Sequence, residues 1–132
     1  MDDAAGVKVE GAIDEKPQIT VPGGDAPEKL IILDLIDGEG TAAEPTDTVN
    51  AHYVGIGWDS GTQFDSSWDR GESISFPLNR VIAGWRRGIP GMRPGGRRLL
   101  VIPGDLAYGP SPPPGSGIGR HEALVFVVDL IG

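Results

Sequence analysis

From residue 29 onward, short apolar runs alternate with Gly, Pro, Asn and Asp, the pattern of strands joined by turns. Lys29 to Ile36 predicts a strand, ended by the turn residues Asp37-Gly38-Glu39-Gly40. Thr46 to Ile56 predicts a second strand carrying Val49, His52, Tyr53, Val54 and Ile56. Asp59-Ser60-Gly61 then supplies turn chemistry that sends Thr62 to Ser66 back antiparallel. Ile74, Phe76 and Leu78 share one face of a strand over Glu72 to Leu78. Arg97 to Pro103 and Leu124 to Ile131 complete the strands, separated by the proline-rich loop Pro110 to Gly117.

One segment has helical period. Ile82, Trp85 and Ile89 recur at i, i+3 and i+7, after Asn79 as a candidate N-cap and with Gly88 closing Arg80 to Arg87. About five strands and one short helix cannot make a doubly wound sheet. The expected fold class is α+β, an antiparallel sheet packed on a single helix. Residues 1–28 hold seven acids, two lysines and three prolines, with little apolar pattern beyond Ile19 to Val21. They read as an acidic N-terminal arm, flexible at first and lying along the domain from Lys16 onward, with 29–132 as the folded domain.

Composition narrows the chemistry. A chain of 132 residues has room for one modest core. With no cysteine, disulfides, thiolate metal sites and cysteine nucleophiles are excluded, and His52 and His121 are too few for a His-rich metal site. No metal and no cofactor are expected. The longest apolar stretch, Leu30 to Ile36, is broken by Asp34 and too short to span a bilayer. The Met-Asp-Asp start lacks the character of a secretory signal, so the expected location is cytoplasmic.

The net charge of −8 is divided unevenly, with 15 acids and 3 bases in residues 1–69 against 4 acids and 8 bases in 70–132. Nucleic-acid binding would need a concentrated basic face from Arg86, Arg87, Arg93, Arg97 and Arg98. The favoured reading is solvated surface charge, partly complementing a helix C-terminus. No nucleic-acid or membrane partner is expected. There is no G-x-S-x-G elbow or Walker loop, and Gly115-Ser116-Gly117-Ile118-Gly119 neither follows a strand nor opens a helix. Ser66, Ser67, His52 and Asp65 are the components of an imaginable hydrolytic set, but alternation along its strand is expected to turn His52 away from it.

The specific signal is a series of stretches in fixed order: Val49-Asn50-Ala51-His52-Tyr53-Val54-Gly55, Gly61-Thr62-Gln63-Phe64-Asp65-Ser66-Ser67, Val81-Ile82-Ala83-Gly84-Trp85, Met92-Arg93-Pro94-Gly95-Gly96-Arg97, Ala107-Tyr108-Gly109 and Leu124-Val125-Phe126. Over roughly residues 29–132 this resembles the FKBP-type peptidyl-prolyl cis-trans isomerases, the immunophilins that bind tacrolimus and rapamycin. The resemblance implies a curved antiparallel sheet wrapped around the helix, with the pocket between them. It implies isomerisation of X-Pro bonds in proline-containing peptides and unfolded proteins by a monomer, with macrolides as further ligands. The alternative is a module on the same fold that captures proline segments without turnover.

Carried over residue by residue, the resemblance implies a pocket of Tyr53, Phe64, Asp65, Val81, Ile82, Trp85, Tyr108, Ile118 and Phe126, with Trp85 as its floor. Tyr53, Phe64, Asp65, Trp85, Tyr108 and Phe126 would be catalytic; Ile74, Val81, Ile82, Ile118 and Arg70 would meet substrate. Asp65 is expected to hold the Tyr53 hydroxyl and pair with Arg70. The Ile82 N–H and the Tyr108 hydroxyl are the expected donors to the substrate backbone. The chain departs from the family pattern at the rim. Ile74 stands where many members carry an aromatic residue, Arg80 where Glu or Gln is common, the link from Phe76 to Val81 is two residues shorter, and the proline-rich loop lacks a histidine that some members have there. Trp58 and Trp68 are expected near surface turns, Trp68 being a further candidate for the rim.

Overall fold

The computed structural model describes residues 6–12 and 15–132, so residues 1–5, 13 and 14 of the expected arm lie outside the described residues. In chain order the elements are β1 (Lys8–Glu10), β2 (Gln18–Thr20), β3 (Ile31–Ile36), β4 (Thr48–Gly57), β5 (Gln63–Ser66), β6 (Ile74–Pro77), α1 (Ala83–Gly88), β7 (Arg97–Ile102) and β8 (Leu124–Leu130). All six segments read as strands form one antiparallel sheet, so the total of about five was one short, and its path runs β3-β7-β8-β4-β5. β6 shares the free edge of β4 with β5. The α+β class stands.

The period of two divides each central strand between two cores. Tyr53 of β4, Leu100 and Ile102 of β7, and Leu124, Phe126 and Val128 of β8 face an inner cluster with Trp85 and Ile89. Val54 and Ile56, Leu99 and Val101, and Val125 and Val127 face an outer cluster. Every residue of β7 and of β8 is therefore buried, which demands a cover on both faces.

α1 and the loops cover the inner face. The expected helix starts too early, because Pro77 leads into a 3-10 turn, Leu78–Arg80, that contains Asn79. Val81 and Ile82 are then extended, and α1 begins after Ile82 with no side-chain cap. Asn79 is thus not the N-cap. Gly84 sets the depth of packing, since a Cβ there would lie 2.5 Å from Ile102 Cγ2.

Part of the expected arm covers the outer face. β1 and β2 pair antiparallel, with Val9 opposite Ile19. Val7, Val9, Ile19 and Val21 pack into the outer cluster, where Val7 is only 5% exposed. Arg97 fastens this hairpin. Its guanidinium makes a bidentate pair with Asp129 (Nε–Oδ1 2.7 Å, Nη2–Oδ2 2.8 Å) and also donates to the carbonyls of Gly11 and Glu15.

Burial corrects further sequence readings. Arg97 and Arg98 are not solvated surface charge: Arg97 is 1% exposed, and Arg98 pairs with Asp34 while donating to Gly88 O and Pro90 O at the end of α1. Trp58 is not at a surface turn either, being 3% exposed with Nε1 donating to Gly24 O. Trp68 packs on the outer cluster, stacked on His52 at 4.1 Å, and so lies on the face opposite the inner aromatic residues.

Candidate active site

The inner face opens at one end of α1 into a cleft of about 390 Å³ lined by Tyr53, Phe64, Asp65, Ile74, Phe76, Arg80, Val81, Ile82, Trp85, Tyr108 and Phe126. Trp85, brought in by α1, is its hub. The indole meets Tyr53 edge-on at 5.1 Å and Phe126 edge-on at 5.0 Å, with Phe76 tilted at 5.1 Å. Phe64 stands perpendicular to Phe126 at 5.5 Å. Such contacts set positive ring edges against negative ring faces. The Trp85 Nε1–H is buried without a partner among the described residues.

Gly55 permits this closure. It lies directly across the β4–β8 ladder from Phe126. A Cβ there would stand 2.6 Å from Phe64 Cζ and 2.8 Å from Phe126 Cε1, closer than carbon atoms approach.

The polar groups of the wall are largely engaged with one another. The Tyr53 hydroxyl donates to Asp65 Oδ2 at 2.7 Å, while Arg70 donates to Asp65 Oδ1 at 2.6 Å and to the Tyr53 oxygen at 3.0 Å. The Ser66 N–H also donates to Asp65. Burial works against the Asp65 carboxylate, yet the bonds from Tyr53 and Arg70 together outweigh it and hold the Asp65 pKa below its ordinary value. Burial raises the Tyr53 phenol, helped by the bond to Asp65 and opposed by Arg70. Tyr108 is raised mainly by burial and secondarily by the charge of Asp65. Neither the Tyr108 hydroxyl nor the Ile82 N–H has a partner among the described residues.

Of the residues anticipated from the sequence, Tyr53, Phe64, Asp65, Ile74, Val81, Ile82, Trp85, Tyr108 and Phe126 are brought together here. Ile118 packs against the inner cluster but does not line the cleft, because the loop returns there and its N–H is held by Ser116 Oγ. Arg70 reaches the cleft only through Tyr53 and Asp65. Arg80, expected at the rim, lines the cleft as well, and Phe76 completes the wall without having been expected in it. The alternation of Ile74, Phe76 and Leu78 contained the signal for Phe76.

The imagined hydrolytic set fails, although not as anticipated. His52 does reach Ser67, with Nδ1 2.8 Å from Oγ. Ser67, however, is fully buried, its Oγ accepts the Tyr53 N–H at 2.7 Å, and Asp65 is engaged on the other side of β4. A second hollow of about 320 Å³ beside Asp34, Arg93 and Arg98 has no aromatic wall to receive a ring.

Fold and cleft together define a small α+β domain with an aromatic-walled cleft between its sheet and its helix. A family model for the FKBP-type peptidyl-prolyl cis-trans isomerases matches residues 39–131. A probable FK506-binding protein of Corynebacterium glutamicum is 57% identical over 120 residues, covering 89% of this chain and 98% of its own. The FK506-binding protein of Streptomyces anulatus is 45% identical over 119 residues, covering 89% and 96%. Among solved structures, FkpA of Escherichia coli superposes with a TM-score of 0.72 at 38% identity, over 84% of this chain and 51% of that one. The chain belongs to the FKBP-type peptidyl-prolyl cis-trans isomerase family.

Proposed function

We propose that this protein accelerates rotation about X-Pro bonds of peptides and unfolded chains by receiving the proline ring against Trp85. The observation that carries the reading is the aromatic enclosure around Trp85, beside two donors without partners, the Ile82 N–H and the Tyr108 hydroxyl.

Rotation breaks no covalent bond but loses amide resonance, which sets a barrier of roughly 18–20 kcal/mol. In the planar amide the carbonyl oxygen carries resonance charge and is best solvated by water. The twisted amide has a less polar carbonyl and a more basic nitrogen. An aromatic cavity therefore penalises the ground state more than the transition state, and a millionfold acceleration requires about 8 kcal/mol of such differential stabilisation. The edges of Tyr53, Phe64 and Phe126 receive the carbonyl oxygen, and the Ile82 N–H and Tyr108 hydroxyl hold the substrate backbone. Asp65 is already engaged by Tyr53 and Arg70, so its role is to fix the phenol and not to transfer a proton.

Two relatives named for FK506 binding support macrolide ligands in the same cleft. Coverage of the outer sheet face by the β1–β2 hairpin supports action as a monomer. The altered rim, Ile74 and Arg80, favours as a second reading capture of proline segments without turnover. A protease-free isomerisation assay on a Leu-Pro peptide separates the two. Exchange well above the uncatalysed rate supports the enzyme, and binding without acceleration supports the capture module.

A further inference from the structure

We infer that this cleft prefers proline segments bearing a carboxylate on a residue that flanks the proline, and that Arg80 is the group that selects it. The inference rests on the isomerase reading above and names a substrate class for that site.

The argument is one of uncompensated charge. Among the described residues Asp65 is the only carboxylate in the cleft wall, and Arg70 pairs with it at 2.6 Å. Arg80 also lines the cleft. It is exposed, ends the turn Leu78–Arg80, and has no ion pair or side-chain hydrogen bond among the described residues. Arg97 and Arg98, by contrast, are each paired with a carboxylate. The cleft therefore presents one solvated positive charge with no protein carboxylate paired to it among the described residues, beside a largely aromatic and aliphatic wall. Arg86 and Arg87, exposed in the last turn of α1, add to the same sign on the element that supplies Trp85. The protein as a whole is strongly acidic, but at physiological salt charges are screened beyond about 8 Å, so the cation at the rim governs a bound segment. A planar guanidinium suits a carboxylate and offers a Gln side chain of the same shape much less.

The test compares peptides that carry Glu or Gln immediately before or after the proline, so that shape is constant and charge varies. Wild type is expected to favour Glu over Gln by about two- to fivefold in kcat/KM at one of the two positions, the range of an exposed ion pair. Arg80→Gln is expected to bring that ratio to unity, Arg80→Lys to retain an excess, and Arg80→Glu to invert it. A ratio at or below unity in wild type at both positions overturns the inference, as does an excess that survives Arg80→Gln. Should no peptide be turned over, Leu-Pro included, the isomerase reading fails separately. The Glu to Gln affinity ratio, read by tryptophan fluorescence titration of the same peptides, then decides the inference by the same criteria.

Discussion

Tyr53 and Asp65 lie diagonally across the β4–β5 pairing, in which Asp65 stands opposite Gly55, with the phenol donating to the carboxylate at 2.7 Å and the Arg70 guanidinium bridging both. Replacing Asp65 by Asn keeps the shape and removes the charge that orients the ring. Asp65 and Arg70 are substantially exposed, so the charge-assisted bonds contribute about 1 kcal/mol after solvent screening, and Asp65→Asn is expected to lower kcat/KM about fivefold. The variant should show no new pH dependence between about pH 6 and 9, far from carboxylate titration. A loss of more than about a hundredfold in Asp65→Asn would instead indicate proton chemistry.

The same pair links stability to pH at both extremes. Because the folded Asp65 pKa lies below 3.8, its contribution is present above that value and is lost as pH falls through the folded one. The stability advantage of wild type over Asp65→Asn should therefore vanish in acid. The Tyr53 pKa is raised above 10.0, so its contribution is complete below pH 10 and is lost as pH rises through the folded value. Denaturant melts of wild type, Asp65→Asn and Tyr53→Phe across the pH range check both signs.

Trp85→Ala is expected to cost about 3–5 kcal/mol of stability, the range for truncating a buried indole, and to lower catalytic efficiency at least about tenfold in the molecules that remain folded. Measuring unfolding beside turnover separates the two losses. A folded variant with unchanged turnover would remove Trp85 from the mechanism.

Most of this arrangement was legible from the sequence, and the omissions share a cause. Leu124 to Val128 is an unbroken apolar run, and such a strand is covered on both faces. The cover was present in the sequence as Val7 and Val9, then Ile19 and Val21, alternations too short to stand out from an acidic background. The start of α1 was misplaced because Asn79 has good capping chemistry, whereas the extended conformation of Val81 and Ile82 decides where the helix begins. The aromatic wall was found because its residues come in motifs. The role of Gly55 escaped because it depends on what lies beside it in space.

Gly55→Ala tests that spatial role. The added methyl must displace Phe64 or Phe126, so activity is expected to fall at least about tenfold, with a stability cost of about 1–3 kcal/mol for overpacking. Gly55→Ala with normal turnover would show that the two rings can separate without consequence.

Asp129→Ala tests the hairpin. It leaves Arg97 buried without its carboxylate, which is expected to cost about 3–5 kcal/mol. Deleting residues 1–16 removes β1 and its apolar contacts and should lower the denaturation midpoint through loss of Val7 and Val9 burial, while Leu-Pro turnover persists at temperatures where the truncated chain stays folded. An unchanged midpoint would show that the hairpin contributes nothing to the core.

The clasp between Arg97 and Gly11 joins residues 86 positions apart, and two of the strands whose outer face the hairpin covers, β7 and β8, belong to the last third of the sequence. On the ribosome, residues 7–21 emerge long before β7 and β8 exist to receive them. The hairpin must therefore wait, with its valines in water, while everything between is made. Loop closure over such a distance carries an entropic cost before any contact offsets it, which places docking of this segment late in folding. A protein whose family eases the slow steps in other chains thus has a long-range step of its own to complete, one that vectorial synthesis defers until almost the whole domain has left the tunnel.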